Sequence, residues 1–322
     1  EKELKQFENI PQPKIIDVNL KLELYPKKRD YTLAGYYILK NTTSKDIKSI
    51  HIQKLLEDDI TLDTIFFAGG YTTDNQYKKY DYAIYKLHTA LKPGDAIKMY
   101  FEQSFTTKGF ESGNSNVNIN NNGTFFNNTD LPTIGYNRKY ELNDEVERTA
   151  YHLPKRLNKA NRDDSNELIN ARSGSDADGI QFEMTIGTSK DQTALVPGNL
   201  IRSWTENNRN YFHYKMNRTM INFYSIVSGE YEIKNDRWMA SQSESLKPVE
   251  LEIYYHKAHN YNIDRMMASM KASLDYYSTN FSPYQYEQLR IMEFPRYAQF
   301  AQSFPGTIPF SESIGFVLDI DD

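Results

Sequence analysis

At 322 residues the chain exceeds the roughly 250–300 at which a single hydrophobic core stops growing, so two domains are the first expectation. A formal net charge of −5, with Lys and Arg dispersed, argues against phosphate tracking along a nucleic acid, and the absence of cysteine excludes thiol catalysis, disulfides and Cys-ligated zinc. No run of about 18 apolar residues occurs, so the sequence holds no membrane span, and no signal peptide is visible.

The 25 Tyr and 17 Phe supply apolar area that a mean hydropathy of −0.71 undervalues, and a tyrosine-rich, proline-punctuated sequence leans towards β structure. In IIDVNLKLELYP, Ile16, Val18, Leu20, Leu22 and Leu24 alternate with polar residues, which predicts a half-buried strand. DYTLAGYYILKN, KSIHIQKL and TLDTIFFAGG continue the theme. Two further strands flank the turn Lys92-Pro93-Gly94-Asp95. From 108 to 178 the pattern is lost in Asn-, Ser- and Gly-rich sequence that reads as long loops with one short helix, interrupted by the aromatic stretch GTFFNNTDLPTIGYNRKYEL.

Strands resume with IQFEMTIGTS, and IRSWTENNRNYFHYKM predicts a hairpin turning at Glu206-Asn207-Asn208-Arg209. After VELEIYYHK the period changes. Ile263, Met266, Met267, Met270, Leu274 and Tyr277 share one face of a helix spanning 262–281, with Asn262 at the N-cap position. A strand follows at 288–294. The fold expected is mainly β, a β-sandwich or saddle-like β domain over 1–257 followed by a truncated α+β segment over 258–322.

Direct motif searches return no catalytic machinery. None of the six His (51, 88, 152, 213, 256, 259) lies in an H-E-x-x-H spacing, and no nucleophile elbow, P-loop or Rossmann fingerprint occurs. His256 and His259, three apart at a strand exit, are expected to be a solvated pair, so no residue is assigned to a metal. One carboxylate stands out: Glu312 in IPFSESIGF lies between Phe310 and Ile314 in a tail with almost no other charge until Asp319. It is either an acid exposed on an edge strand or a group placed against something cationic.

The order VELEIYY, an amphipathic helix ending DYYSTNFSPYQYEQL, the strand RIMEFP, then IPFSESIGF resembles the aminopeptidase N family of zinc metallopeptidases (gluzincins). Glu312-Ser313-Ile314-Gly315-Phe316 fits that family's E-N-W-G segment, Phe294-Pro295 its strand end, and YFHYKMNRTMINFYSIVSGEYE its last hairpin before the catalytic domain. The likeness covers most of the chain through individually loose motifs. TDLPTIGYNRKYEL and the Pro-Phe-Ser-Glu-Ser wording resemble a bacterial branch fused to ABC-transporter permeases, which implies a membrane-anchored parent; the compartment itself stays undetermined.

The resemblance implies that Glu312 pairs with the ammonium of a peptide N-terminus, as an aminopeptidase must count from the free amine. It further implies that Phe310, Ser311 and Ser313 line the same substrate segment (309–316), with backbone groups holding the peptide as an added strand. Pro309 stands where the family has Gly and Ser313 where it has Asn. The amine-binding segment of the β domain matches Gly123-Thr124-Phe125-Phe126-Asn127, where Asn127 orients an amine without a charge and the two Phe pack.

The family's zinc helix lies beyond this segment. The chain, which starts at Glu1 without Met and stops in DIDD, is therefore expected to be a piece of something longer. Zinc is expected in the full-length protein and none in this chain, which should hydrolyse nothing. Its partners would be a peptide N-terminus and the remainder of the catalytic domain, and residues 260–322 would pack loosely without it. The rival reading is a non-catalytic peptide- or protein-binding β scaffold, a pseudo-peptidase domain serving a membrane transporter. A free-standing carbohydrate-binding sandwich gives no reason for the helix–strand unit at 262–294.

Overall fold

The alternation of the first strand is realised with one correction. In the computed structural model, which describes residues 1–57, 59–108, 116–156, 163, 176–240 and 248–319, β1 (Lys14–Tyr25) buries Val18, Leu20, Leu22 and Leu24 as expected. Ile15, rather than Ile16, is the fifth core residue, because a bulge between Ile15 and Asp17 inserts one residue and flips the side-chain alternation.

Around β1 grows a seven-stranded sheet in the order β12-β13-β10-β1-β2-β7-β4. Its other members are β2 (Asp30–Lys40), β4 (Ile60–Phe67), β7 (Ala96–Phe105), β10 (Ala177–Ser189), β12 (Asn199–Glu206) and β13 (Arg209–Lys215). The β1–β10 pair is parallel and the rest antiparallel. The β12–β13 hairpin turns through Asn207 and Asn208 at φ 48° and 60°, the left-handed pair that a two-residue hairpin loop demands and that Asn tolerates.

A four-stranded sheet is formed by β5 (Tyr71–Asp74), β6 (Tyr82–Leu91), β3 (Ile47–Gln53) and β9 (Thr133–Ile134). A three-stranded one joins β11 (Thr193–Leu195), β14 (Ser225–Gly229) and β8 (Thr124–Asn127). The expected loop region of 108–178 thus contains two short strands and a helix, α1 (Glu145–Ala150); its residues 109–115, 157–162 and 164–175 lie outside those described.

The C-terminal sheet runs β15 (Glu232–Trp238), β16 (Val249–Tyr255), β17 (Gln288–Phe294), β18 (Thr307–Ser311), with β16, β17 and β18 mutually parallel. The 257/258 division expected from the sequence falls in the connection between β16 and α2 (Ile263–Asn280), inside this one sheet. β17 is buried on both faces, as parallel strands are. Met292 and Phe294 belong to the main core together with β1 and β10, while Leu289 and Ile291 face α2. Phe125 stacks on Phe294 at 4.7 Å and Phe126 on Tyr31 at 5.2 Å, so both pack as expected.

Helix α2 buries Ile263, Met267, Met270 and Leu274 on the sheet, each worth roughly 1.5–3 kcal/mol of apolar transfer. One expectation fails here and another is met without its usual hydrogen bond. Tyr277 is 60% exposed, outside the core stripe. Asn262 sits at the N-cap but makes no side-chain cap; its amide instead donates to the carbonyls of Gly315 (2.7 Å) and Leu318, tying down the segment after α3 (Glu312–Gly315). Phe316 is fully buried beneath α2, so this segment is packed rather than loose.

Candidate functional site at three strand ends

Parallel strands discharge their carboxyl ends on one side of a sheet, which is where open parallel sheets gather ligands. Here three chain segments converge there: His256 and His259 follow β16, Glu293 is the penultimate residue of β17, and Glu312 follows β18. The register makes this automatic, since Tyr254 pairs with Met292 and Glu293 with Phe310.

Glu293 has no exposed surface. Its Oε2 accepts from the His256 backbone N–H at 2.6 Å, and its Oε1 accepts a short hydrogen bond from His259 Nδ1. Burial, reinforced by the charge of Glu312, raises the Glu293 carboxyl to about 7 against the pull of its His256 and His259 hydrogen bonds. Glu312 is half-buried, and its Oε1 accepts from the Arg296 N–H at 2.9 Å. One ligand atom each from His259, Glu293 and Glu312 lie within 4.8 Å of one another. Glu312 is therefore neither strand-borne nor isolated.

His256 stands beside this group, its ring 5.8 Å from that of His259 and 5.4 Å from that of Tyr231. Its Nε2 is buried with no hydrogen-bond partner among the described residues, which suits a neutral ring with its lone pair on that nitrogen. Burial, then the neighbouring His259, pushes its pKa down and favours that neutral ring. The pair expected to be solvated is thus built into the protein. Gly123 permits the close fit: a Cβ there would stand 2.6 Å from Pro295 Cδ and 3.8 Å from His256 Nε2.

The remaining residues expected at the site divide. Ser311, fully buried, donates its hydroxyl to the Ala298 carbonyl at 2.6 Å and accepts from the Ser313 N–H at 3.3 Å, fixing the turn that presents Glu312. The Phe310 ring packs under α2, 5.8 Å from Phe316. Asn127 is not brought to the cluster. Its Oδ1 accepts from Thr129 N–H at 2.9 Å, and its strand partner Ser225 meets Thr307, at the start of β18 and roughly 13 Å of strand before Ser311. It is Gly123, at the other end of β8, that touches the site.

The added-strand expectation meets an edge already in use. On the outer side of β18 the chain folds back antiparallel: Ser311 N–H donates to Phe300 O at 3.0 Å, Gln302 N–H to Pro309 O at 3.1 Å and Phe304 N–H to Thr307 O at 2.8 Å. A peptide strand could pair there only by displacing residues 300–304. Sequence reasoning missed Glu293 and His259. The signal was an acid inside RIMEF, a strand apolar on both faces, since a buried carboxylate needs partners.

No family model matches the chain, and no curated protein matches it. Among solved structures, the M1 zinc metallopeptidase from Deinococcus radiodurans shares the fold at TM-score 0.60 and 12% identity, over 93% of this chain and 60% of that one. A mutant of that enzyme bound to a Tyr-Ser-Ala substrate matches at TM-score 0.60 and 12% identity, over 93% and 60%. A two-domain M1 zinc metallopeptidase mutant bound to L-tryptophan matches at TM-score 0.61 and 12% identity, over 94% and 61%. The chain spans about three-fifths of the length of these structures, and at this identity the likeness is one of fold.

Proposed function

We propose that this chain is the substrate-amine recognition part of an M1-like zinc aminopeptidase, with Glu312 receiving the ammonium of a peptide N-terminus. The observation that carries the reading is the placement of Glu312: half-buried, held by the Arg296 N–H and by the Ser311 turn, at the ends of three parallel strands. A carboxylate so fixed loses little freedom on pairing with an ammonium, and partial burial strengthens the pair. The fold likeness to a metallopeptidase bound to Tyr-Ser-Ala supports a peptide as the ligand. Zinc in the whole enzyme supplies the Lewis acid and the activated water; the residues of this chain bind and orient the amine, and the family's zinc motif is not among them. The parent is read as membrane-associated through a transporter permease on its sequence motifs.

A second reading, a non-catalytic peptide-binding scaffold, is favoured by the antiparallel segment 300–304 on the β18 edge. Two measurements separate them. The 322-residue chain should bind Tyr-Ser-Ala better than its N-acetylated form, and Glu312→Gln should erase that preference, a loss of roughly 10- to 100-fold for one charge-assisted contact. Equal binding of the two peptides would end the amine reading. In the intact protein the aminopeptidase reading requires aminoacyl-anilide hydrolysis that falls with Glu312→Gln; a protein that binds the peptide without turnover is the scaffold.

A further inference from the structure

We propose that the three strand ends form a divalent transition-metal site, with a His259 ring nitrogen, a Glu293 oxygen and a Glu312 oxygen as ligands and His256 Nε2 as the further donor.

The first argument is geometric. Donors bound to one zinc at about 2.1 Å stand about 3.4 Å from one another, and one ligand atom each from His259, Glu293 and Glu312 already lies within 4.8 Å of the others. Small torsions in His259 and Glu312, both partly exposed, bring the set to that spacing, the His259 hydrogen bond to Glu293 giving way to the cation. Glu293 needs no move of its own, because the His256 N–H already orients its carboxylate.

The second argument is electrostatic. A fully buried carboxylate and a half-buried one share the site, and among the described residues no Lys or Arg side chain forms an ion pair with either. Two acids this close hold their charge together only with a counter-charge between them. His259 serves Glu293 alone; a dication would serve both.

The third argument is independent of the acids. His256 Nε2 is buried without a hydrogen-bond partner among the described residues, in a ring 5.8 Å from that of His259. A cation held at the cluster would give that nitrogen its partner. One or two imidazoles with two carboxylates suit zinc and manganese rather than calcium or magnesium, which prefer all-oxygen shells. The site uses the same Glu312 as the proposed amine contact, so cation and peptide ammonium exclude one another there.

The test is calorimetric titration of the metal-stripped 322-residue chain with ZnCl2 or MnCl2, with MgCl2 and CaCl2 as controls. One saturable equivalent of Zn2+ is expected, with affinity lowered at least about 10-fold in Glu312→Gln and in His259→Gln, and also in His256→Gln. Melting in EDTA keeps the test independent of folding, since the partly exposed Glu312 and His259 variants should match the parent there. Absence of saturable Zn2+ and Mn2+ binding would overturn the site, as would binding unchanged in both Glu312→Gln and His259→Gln. Tyr-Ser-Ala binding repeated in EDTA and then in Zn2+ separates the two ideas: binding in EDTA that Zn2+ suppresses supports both. Peptide binding that Zn2+ leaves unchanged overturns the shared site and spares the amine contact.

Discussion

Two buried histidine–oxygen arrangements sit in different sheets, and they are finished differently. In β3, His51 is 3% exposed; its Nδ1 meets the Tyr82 hydroxyl at 2.8 Å, its Nε2 meets Ser49 Oγ at 3.2 Å, and Phe7 packs edge-on at 5.0 Å. Every polar atom of the ring is answered by a neutral partner. At the ends of β16, β17 and β18, by contrast, Glu293 is buried without a permanent cation and His256 Nε2 faces no partner among the described residues. The first arrangement is complete within the chain and stabilises one sheet. The second has an unpartnered ring nitrogen and two neighbouring acids that share one histidine, which a folded protein retains where something else is to be bound.

The two regions are nonetheless one structure if they share a core, and this can be broken. Phe294, fully buried at the end of β17, stacks with Phe125 of β8 and lies 5.3 Å from Phe300. Phe294→Ala should cost about 3–5 kcal/mol and lower the stability of both regions in one urea transition. Two separated transitions, with only the C-terminal one shifted, would show that the sheets unfold apart.

The next largest effect sharpens the contrast through pH. Burial pushes His51 down to about 4 from its usual 6.5, so the unfolded chain takes up a proton between these values that the folded chain refuses. Its contribution is intact above about 6.5 and is lost as pH falls through 4, a loss of about 3 kcal/mol. His51→Asn should flatten that acid limb in urea titrations run between these pH values. An unchanged limb would mean that His51 takes up its proton in the folded state without penalty.

The sequence disclosed the fold better than the site. Period-2 alternation located β1, paired Asn marked the β12–β13 turn, and the switch to helical spacing found α2, since each reports a local geometry. Glu312 was readable as an odd acid in an apolar tail. Its companions were not, because His259 and Glu293 are 34 residues apart and meet only through the parallel register of β16 and β17. The misplacement of Asn127 has the same origin. A matched segment identifies β8, but which end of β8 touches the site is decided by Gly123 lying against Pro295.

The smallest effect concerns where α2 stops being core. The spacing that places Ile263, Met267, Met270 and Leu274 on the sheet also includes Tyr277, yet Tyr277 is 60% exposed. Length explains it. The 18 residues of α2 rise about 27 Å, whereas the seven residues of β17 span about 23 Å, so the last helical turn overruns the strands beneath. There the Tyr277 ring lies 5.4 Å from that of Tyr276 and 5.7 Å from that of Phe281, a small aromatic group on the surface. Tyr277→Ser should therefore change stability by no more than about 0.5 kcal/mol, against about 2–5 kcal/mol for Met270→Ala one turn inside the sheet. Should urea titration give Tyr277→Ser a cost comparable to Met270→Ala, the helix end would be packed in solution, and the C-terminal region would be as closed as the sheet that holds His51.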